Sequence, residues 1–215
     1  MTRGRPARAV ALAAAVLLTS ACDVPVTGVA TAASSVPDGP ASPAELEALL
    51  VDSVPSGLPR LPDADVRPPA GEKSVEDVAA YADDPARERH VLLADYGYRF
   101  GWECFWGVDG GAMTSVFVHR MKNPAGAAAL ARDLAANDAT YYAGALSDNP
   151  PDLPGGCRLL TVEHARPGSA LDGPAAISWC GHGVFSVSVT AVSDSVEAAQ
   201  AEVRELLPAQ LDRLD

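Results

Sequence analysis

The chain has 215 residues, of which 48% are apolar, and its 16 Lys and Arg against 28 Asp and Glu give a formal net charge of −12. Nucleic-acid binders obtain most of their affinity from basic side chains that neutralise phosphates, so this charge argues against a nucleic-acid partner. The length is that of one domain of ordinary size, at about 100 to 200 residues per domain.

The first 22 residues have the organisation of an export signal. Arg3, Arg5 and Arg8 precede an apolar run at 9–18. A transmembrane helix needs about 20 apolar residues, whereas the apolar core of a signal peptide needs about 7 to 15 behind a basic start. The sequence therefore predicts a signal peptide at 1–21 and a protein that leaves the cytoplasm.

Small residues lead directly to a cysteine at the end of this signal. The stretch Leu18-Thr19-Ser20-Ala21-Cys22 resembles the bacterial lipobox. The resemblance implies cleavage before Cys22, a diacylglycerol thioether on its sulfur and acylation of the new amine by a fatty acid such as palmitate. The protein would then be a lipoprotein, anchored by lipid to the outer face of the bacterial cytoplasmic membrane. An ordinary secretory peptide with a chance cysteine is the alternative.

The segment after the anchor has the composition of a linker. Residues 22–42 are rich in Thr, Ala, Ser, Pro and Gly and contain no aromatic side chain, which predicts a lipidated flexible tether. Residues 43–215 then form a single extracytoplasmic domain. Without its signal peptide the chain carries 13 Lys and Arg against 28 Asp and Glu, a formal charge of −15, so the lipid alone must hold it at the membrane.

Capping residues mark the helices of the domain. Each combines a Ser, Asn or Asp cap with a proline or an acidic residue in the first turn, the usual pattern of a helix N-terminus. Four helices are predicted, with caps at Ser42, Asp84, Asn123 and Ser195, and the capping box at Ser74 is only approximate because Asp77 replaces a glutamate. Gly97 should end the helix that begins at Asp84, Asn137 lies near the end of the next, and Pro208 should kink the last.

Alternating apolar residues mark the strands. Phe100, Trp102, Cys104 and Trp106 share one face of a strand, which a glycine-rich hairpin connects to a returning strand at 114–121. Three more strands are predicted at 158–164, 175–180 and 184–192, while the proline-rich segment 55–71 should be an extended surface crossing. Consecutive strands favour an α+β fold, with an antiparallel sheet of about five strands and helices packed mainly on one face.

A set of structural residues between 75 and 137 is shared with a known group of proteins. They are Asp84-Pro85, Gly97-Tyr98, Gly101, Trp106 and the helix start at 123–129. This region resembles uncharacterised secreted or lipid-anchored proteins of actinobacteria. The resemblance implies an extracytoplasmic α+β module and supplies no catalytic residues.

Three thiols remain once Cys22 is assigned to lipid: Cys104, Cys157 and Cys180. Outside the cytoplasm two of them should form a disulfide. A hairpin centred near Gly168 would bring Cys157 opposite Cys180, so that pair is favoured and Cys104 would be a buried free thiol. Which of the three is unpaired stays open at this point.

No cofactor or metal motif is present in the sequence. Cys180 and His182 could share one strand face as a thiolate and its base, but a disulfide would consume the thiol. The other histidines, at positions 90, 119 and 164, lack the spacing of zinc sites. We therefore predict no metal, no cofactor and no catalytic residue.

Aromatic residues are the remaining candidates for ligand contact. Tyr98, Trp102 and Trp106 could line an apolar pocket, although such a cluster more often marks a central core strand. The function predicted is a non-catalytic binding or sensor-like module for a small apolar ligand, another envelope component or a partner protein. The alternatives are an envelope hydrolase or thiol enzyme using a Cys/His pair, and a structural envelope lipoprotein.

Overall fold

The computed structural model of the protein describes residues 39–166 and 168–215. The predicted signal peptide, Cys22 and most of the predicted tether lie outside these ranges. Within them, no helix has both the length and the apolar composition that crossing a bilayer requires.

The described residues form five α-helices and seven β-strands, joined by a short 3-10 turn at Asp63–Asp65 and a π-helical turn at Leu92–Tyr96. In chain order they are α1 (Pro43–Glu47), β1 (Gly71–Lys73), α2 (Val75–Ala79), α3 (Pro85–Val91), β2 (Tyr98–Gly107), β3 (Met113–Met121), α4 (Pro124–Tyr142), β4 (Ala145–Asp148), β5 (Arg158–Val162), β6 (Ala175–His182), β7 (Phe185–Val192) and α5 (Val196–Asp212).

All seven strands belong to one antiparallel sheet in the order β1-β2-β3-β7-β6-β5-β4. The mixed helix and sheet architecture is the one predicted, but the expected count of about five strands was wrong. The two strands missed are the edges, β1 with three residues and β4 with four. Strands of three or four residues are too short to show an alternation of apolar and polar side chains in the sequence, and every residue of β4 is exposed. What makes these segments strands is their pairing with β2 and β5.

Helices cover both faces of the sheet, which corrects the expectation that they would lie mainly on one. Ala175, Ile177 and Trp179 of β6 join the core beneath α4, whereas Ala176 and Cys180 join the core beneath α5. The sequence of β6 contains the signal, because a near-continuous apolar run is typical of a strand buried on both sides.

The helices begin at the predicted caps. Ser42, Ser74 and Ser195 each accept a hydrogen bond from the backbone N–H three residues later, and Asp84 and Asn123 do the same. Gly97 has a φ of 69°, the left-handed conformation that ends a helix. The fourth helix runs to Tyr142 rather than to about Asn137, and the last continues through Pro208.

Gly126 allows the start of α4 to lie against the π-helical turn. A Cβ atom at this position would be 1.9 Å from the carbonyl oxygen of Tyr96. Alanine normally stabilises a helix relative to glycine by up to about 1 kcal/mol. Here we expect Gly126→Ala to destabilise the domain by about 1 to 3 kcal/mol, because the backbone of one element must move.

Urea unfolding followed by circular dichroism measures this change in stability. Gly155→Ala is the matched control, since Gly155 lies in a loop where an added Cβ would meet no atom within 4 Å. We expect the control to remain within about 0.5 kcal/mol of the parent protein. Equal stability of the two variants would contradict the close contact between the helix and the π-helical turn.

Candidate functional site

The three aromatic ligand candidates do not converge on one pocket. Trp106 is 1% exposed and Tyr98 is 3% exposed, and only Trp102 is partly accessible. The bulge between Tyr98 and Phe100 turns Tyr98 to the α4 face, while the two tryptophans point to the α5 face. Phe100, Trp102, Cys104 and Trp106 do share one face, as the alternation predicted, and that face packs on the core.

A disulfide joins Cys157 and Cys180, the pair favoured by the sequence. The register Arg158↔Trp179 between β5 and β6 places the two cysteines side by side, with their Cα atoms 4.3 Å apart. Cys104 is a buried free thiol, and burial raises its pKa to about 12. None of the three sulfurs is therefore a thiolate at neutral pH.

His182 and His119 contact different groups. Nε2 of His182 is 2.7 Å from the Asp215 carboxylate, so this imidazole contacts the C-terminal residue. His119 is buried between the rings of Tyr98 and Phe117, and its Nδ1 has no hydrogen-bond partner among the described residues. Burial, and secondarily the Lys73 charge, lowers the pKa of His119 to about 4, so its ring is neutral at pH 7. Within 39–166 and 168–215, no group of three or more His, Cys, Asp or Glu could hold a metal ion.

A buried ion pair lies on the same face of the sheet as His119. Nζ of Lys73 is 3.1 Å from Oε2 of Glu103, and the two side chains are almost completely buried. The Tyr81 hydroxyl donates to the same carboxylate at 2.9 Å, and Lys73 also donates to the Pro69 carbonyl. Burial raises the pKa of the Glu103 carboxyl, and the Lys73 ammonium opposes this shift.

This ion pair was not predicted from the sequence. Lys73 and Glu103 are 30 positions apart and meet only because β1 pairs with β2 in the register Gly71↔Glu103. The one local signal is that Glu103 falls between Trp102 and Cys104, on the face opposite to the apolar alternation. Each charge satisfies the other, so the arrangement suits a structural role better than a catalytic one.

A groove runs between the edge strand β4 and α5, and we call it the β4 groove. Its volume is about 460 Å³. Pro150, Pro151 and Leu159 supply apolar surface, and the Arg204 guanidinium pairs with Asp152 at its rim. The remaining lining residues are Ala145, Leu146, Ser147, Thr161 and Gln200.

A second cleft of about 360 Å³ lies beside the same N-terminal half of α5, where Ala198, Ala201 and Glu205 line it, and against the segment that contains Ser56. The Glu202 carboxylate in its wall accepts hydrogen bonds from the hydroxyls of Ser56 at 2.7 Å and Thr114 at 3.1 Å. Both donors converge on one oxygen, so they tie the proline-rich segment to the sheet.

Asp138 of α4 is a half-buried acid whose pKa is raised to about 6 by desolvation. Its ordinary value is 3.8, so the unfolded chain ionises first as the pH rises and the folded state loses stability between about pH 4 and 6. We expect Asp138→Asn to stabilise the domain by about 1 to 3 kcal/mol above pH 6 and to have little effect below pH 4.

Thermal unfolding at pH 4 and at pH 7.5 tests this dependence. Asp109→Asn, in the exposed β2–β3 turn, is the control for the change in net charge. A gain from Asp138→Asn that is the same at both pH values would show that the carboxyl ionises equally in the folded and unfolded states.

Comparisons with known proteins assign neither a family nor a function to the chain. No family model matches the sequence, and no curated protein matches it. Among solved structures, the extracellular domain of PknH from Mycobacterium tuberculosis is similar at 12% identity and a TM-score of 0.43, over 81% of this chain and 97% of that one. We draw no functional inference from a likeness at this level.

Proposed function

We propose that the protein is a lipid-anchored extracytoplasmic module that binds an envelope ligand or a partner protein and has no catalytic activity of its own. The observation that carries the proposal is the Cys157–Cys180 disulfide. Stable disulfides form in compartments outside the cytoplasm, which agrees with the export signal and the lipobox resemblance at Cys22.

The same disulfide argues against the alternative of a thiol enzyme. Cys180 has no thiol to offer His182, and Cys104 is buried with a raised pKa. Alkylation of the native protein should therefore label no cysteine within 39–215, and alkylation after denaturation without reductant should label Cys104 alone. Labelling of Cys180 in the native protein would support the thiol-enzyme alternative instead.

The lipid anchor is tested by the intact mass of the full chain, expressed in a bacterium with lipoprotein export and extracted from its membranes. We expect residues 1–21 to be absent and Cys22 to carry a diacylglycerol and an acyl chain. Cys22→Ser is the matched variant and should leave the membrane fraction. An unmodified Cys22, or retention of residues 1–21, would overturn the anchor.

Binding is tested separately, by cross-linking the lipidated protein in intact cells and by mass spectrometry of lipids that remain bound to it after mild extraction. A ligand or partner recovered at the same surface residues in repeated experiments would support the binding module. Recovery of nothing by either method would favour the structural lipoprotein instead.

A further inference from the structure

We propose that β4 and the β4 groove form a docking site for an extended, basic peptide segment of a partner protein, which adds to the sheet as an eighth strand. This inference deepens the proposed binding function by naming the site and the chemistry of its partner. It does not depend on the lipid anchor.

Among the residues that the structure describes, the outer edge of β4 has backbone groups with no strand beside them. Asn149 donates its N–H to the Cys157 carbonyl, so residues 149, 147 and 145 direct their backbone groups towards β5. In an antiparallel ladder the residues between them direct theirs the opposite way. Leu146 and Asp148 therefore present two N–H donors and two carbonyl acceptors along the outer edge.

The two edges of the sheet are not equivalent. β1 has only three residues and follows two prolines, Pro68 and Pro69, which is a common way to block pairing at an edge. β4 contains no proline, and the charge of Asp148 is paired with Arg158 at 2.7 Å. β4 is also short, at four residues, and Pro150 and Pro151 follow it, but within the strand itself neither a proline nor an unpaired charge opposes strand addition.

The β4 groove provides a place for the side chains of an added strand. Ala145 and Ser147 point to the α5 face, as their pairing with Thr161 and Leu159 shows. A residue of the incoming strand opposite Ser147 would point the same way and enter the groove. Its apolar wall, formed by Pro150, Pro151 and Leu159, suits an aliphatic side chain there.

Charge decides between a foreign segment and a second copy of this chain. Residues 22–215 carry a formal charge of −15, which repels another copy and attracts a basic partner. Pairing two β4 strands of four residues would also bury little surface against that repulsion. A basic segment with apolar residues at alternate positions matches both the groove and the charge.

The test is selection of random ten-residue peptides displayed on phage against the mature chain in detergent micelles. We expect the selected peptides to be net basic with alternating apolar residues, and to bind the Ser147→Trp variant, whose groove is filled, at least tenfold more weakly. Val108→Trp, which places the same bulky side chain on an exposed position of the β2–β3 turn, is the matched control and should change the dissociation constant less than threefold.

N-methylated versions of a selected peptide test the backbone pairing without altering the protein. Methylation at alternate residues should abolish binding in one register and leave it unchanged in the other. Three results would overturn the proposal: no enriched peptide, equal binding to the parent and Ser147→Trp proteins, or a dimer in analytical ultracentrifugation that Ser147→Trp dissociates. Since the peptide assay uses purified protein, failure here leaves the membrane-anchor experiment unaffected.

Discussion

Replacing Lys73 with methionine is expected to destabilise the folded domain by about 3 to 5 kcal/mol, because it leaves the buried Glu103 carboxylate without its counter-charge. Within 39–166 and 168–215, only the Tyr81 hydroxyl would still donate to that carboxylate. Equilibrium unfolding in urea measures the loss as a lower midpoint at unchanged slope.

The pH dependence of this effect distinguishes charge from packing. Burial already raises the pKa of Glu103 in the parent protein, and removing the Lys73 charge raises it further. A carboxyl whose folded pKa is raised loses stability as the pH increases, since the unfolded chain ionises first. The destabilisation by Lys73→Met should therefore be smaller at pH 4.5 than at pH 7.5.

Two further variants complete the test of the ion pair. Combining Lys73→Met with Glu103→Leu removes both charges and should restore most of the lost stability. Glu76→Gln breaks the exposed pair of Arg89 and Glu76, which is a control that should change stability by less than about 1 kcal/mol. A double variant as unstable as Lys73→Met alone would mean that packing, and not charge, explains the loss.

Local signals in the sequence predict the elements of this fold better than their arrangement. Caps such as Ser42 and Asn123 specify helix starts because their hydrogen bonds are made within one turn. The pairing of β5 with β6 and the disulfide between them could be predicted because the paired residues lie at nearly equal sequence distances on either side of Gly168. In each case the interacting residues are neighbours in the chain or lie symmetrically about a single turn.

The sequence does not show how strands that are distant in the chain pair with one another. The edge strands β1 and β4 are strands only because β2 and β5 lie beside them. The Lys73–Glu103 pair and the β4 groove depend on that same pairing. A proposed binding site at a sheet edge is therefore the kind of feature that single-sequence periodicity misses, because unpaired backbone groups leave no trace in side-chain patterns.

Replacing Cys157 and Cys180 together with alanine should lower the free energy of unfolding by roughly 3 kcal/mol, since the disulfide closes a loop with a sequence separation of 23. The double variant should also loosen the edge of the sheet that carries the β4 groove. Asn149 bonds to the Cys157 carbonyl, so freeing Cys157 from β6 weakens the support of β4.

Hydrogen exchange separates these two consequences. Global destabilisation speeds the exchange of core amides such as those of β3, whereas local loosening speeds exchange in β4 and β5 by a larger factor. Reductant supplies the control, because it should shift the unfolding midpoint of the parent protein and leave that of the double variant unchanged. Equal midpoints for the parent and double variant under oxidising conditions would show that the bridge contributes nothing to stability. Faster exchange confined to β4 and β5 would instead show that it mainly holds the edge at which we propose a partner strand pairs.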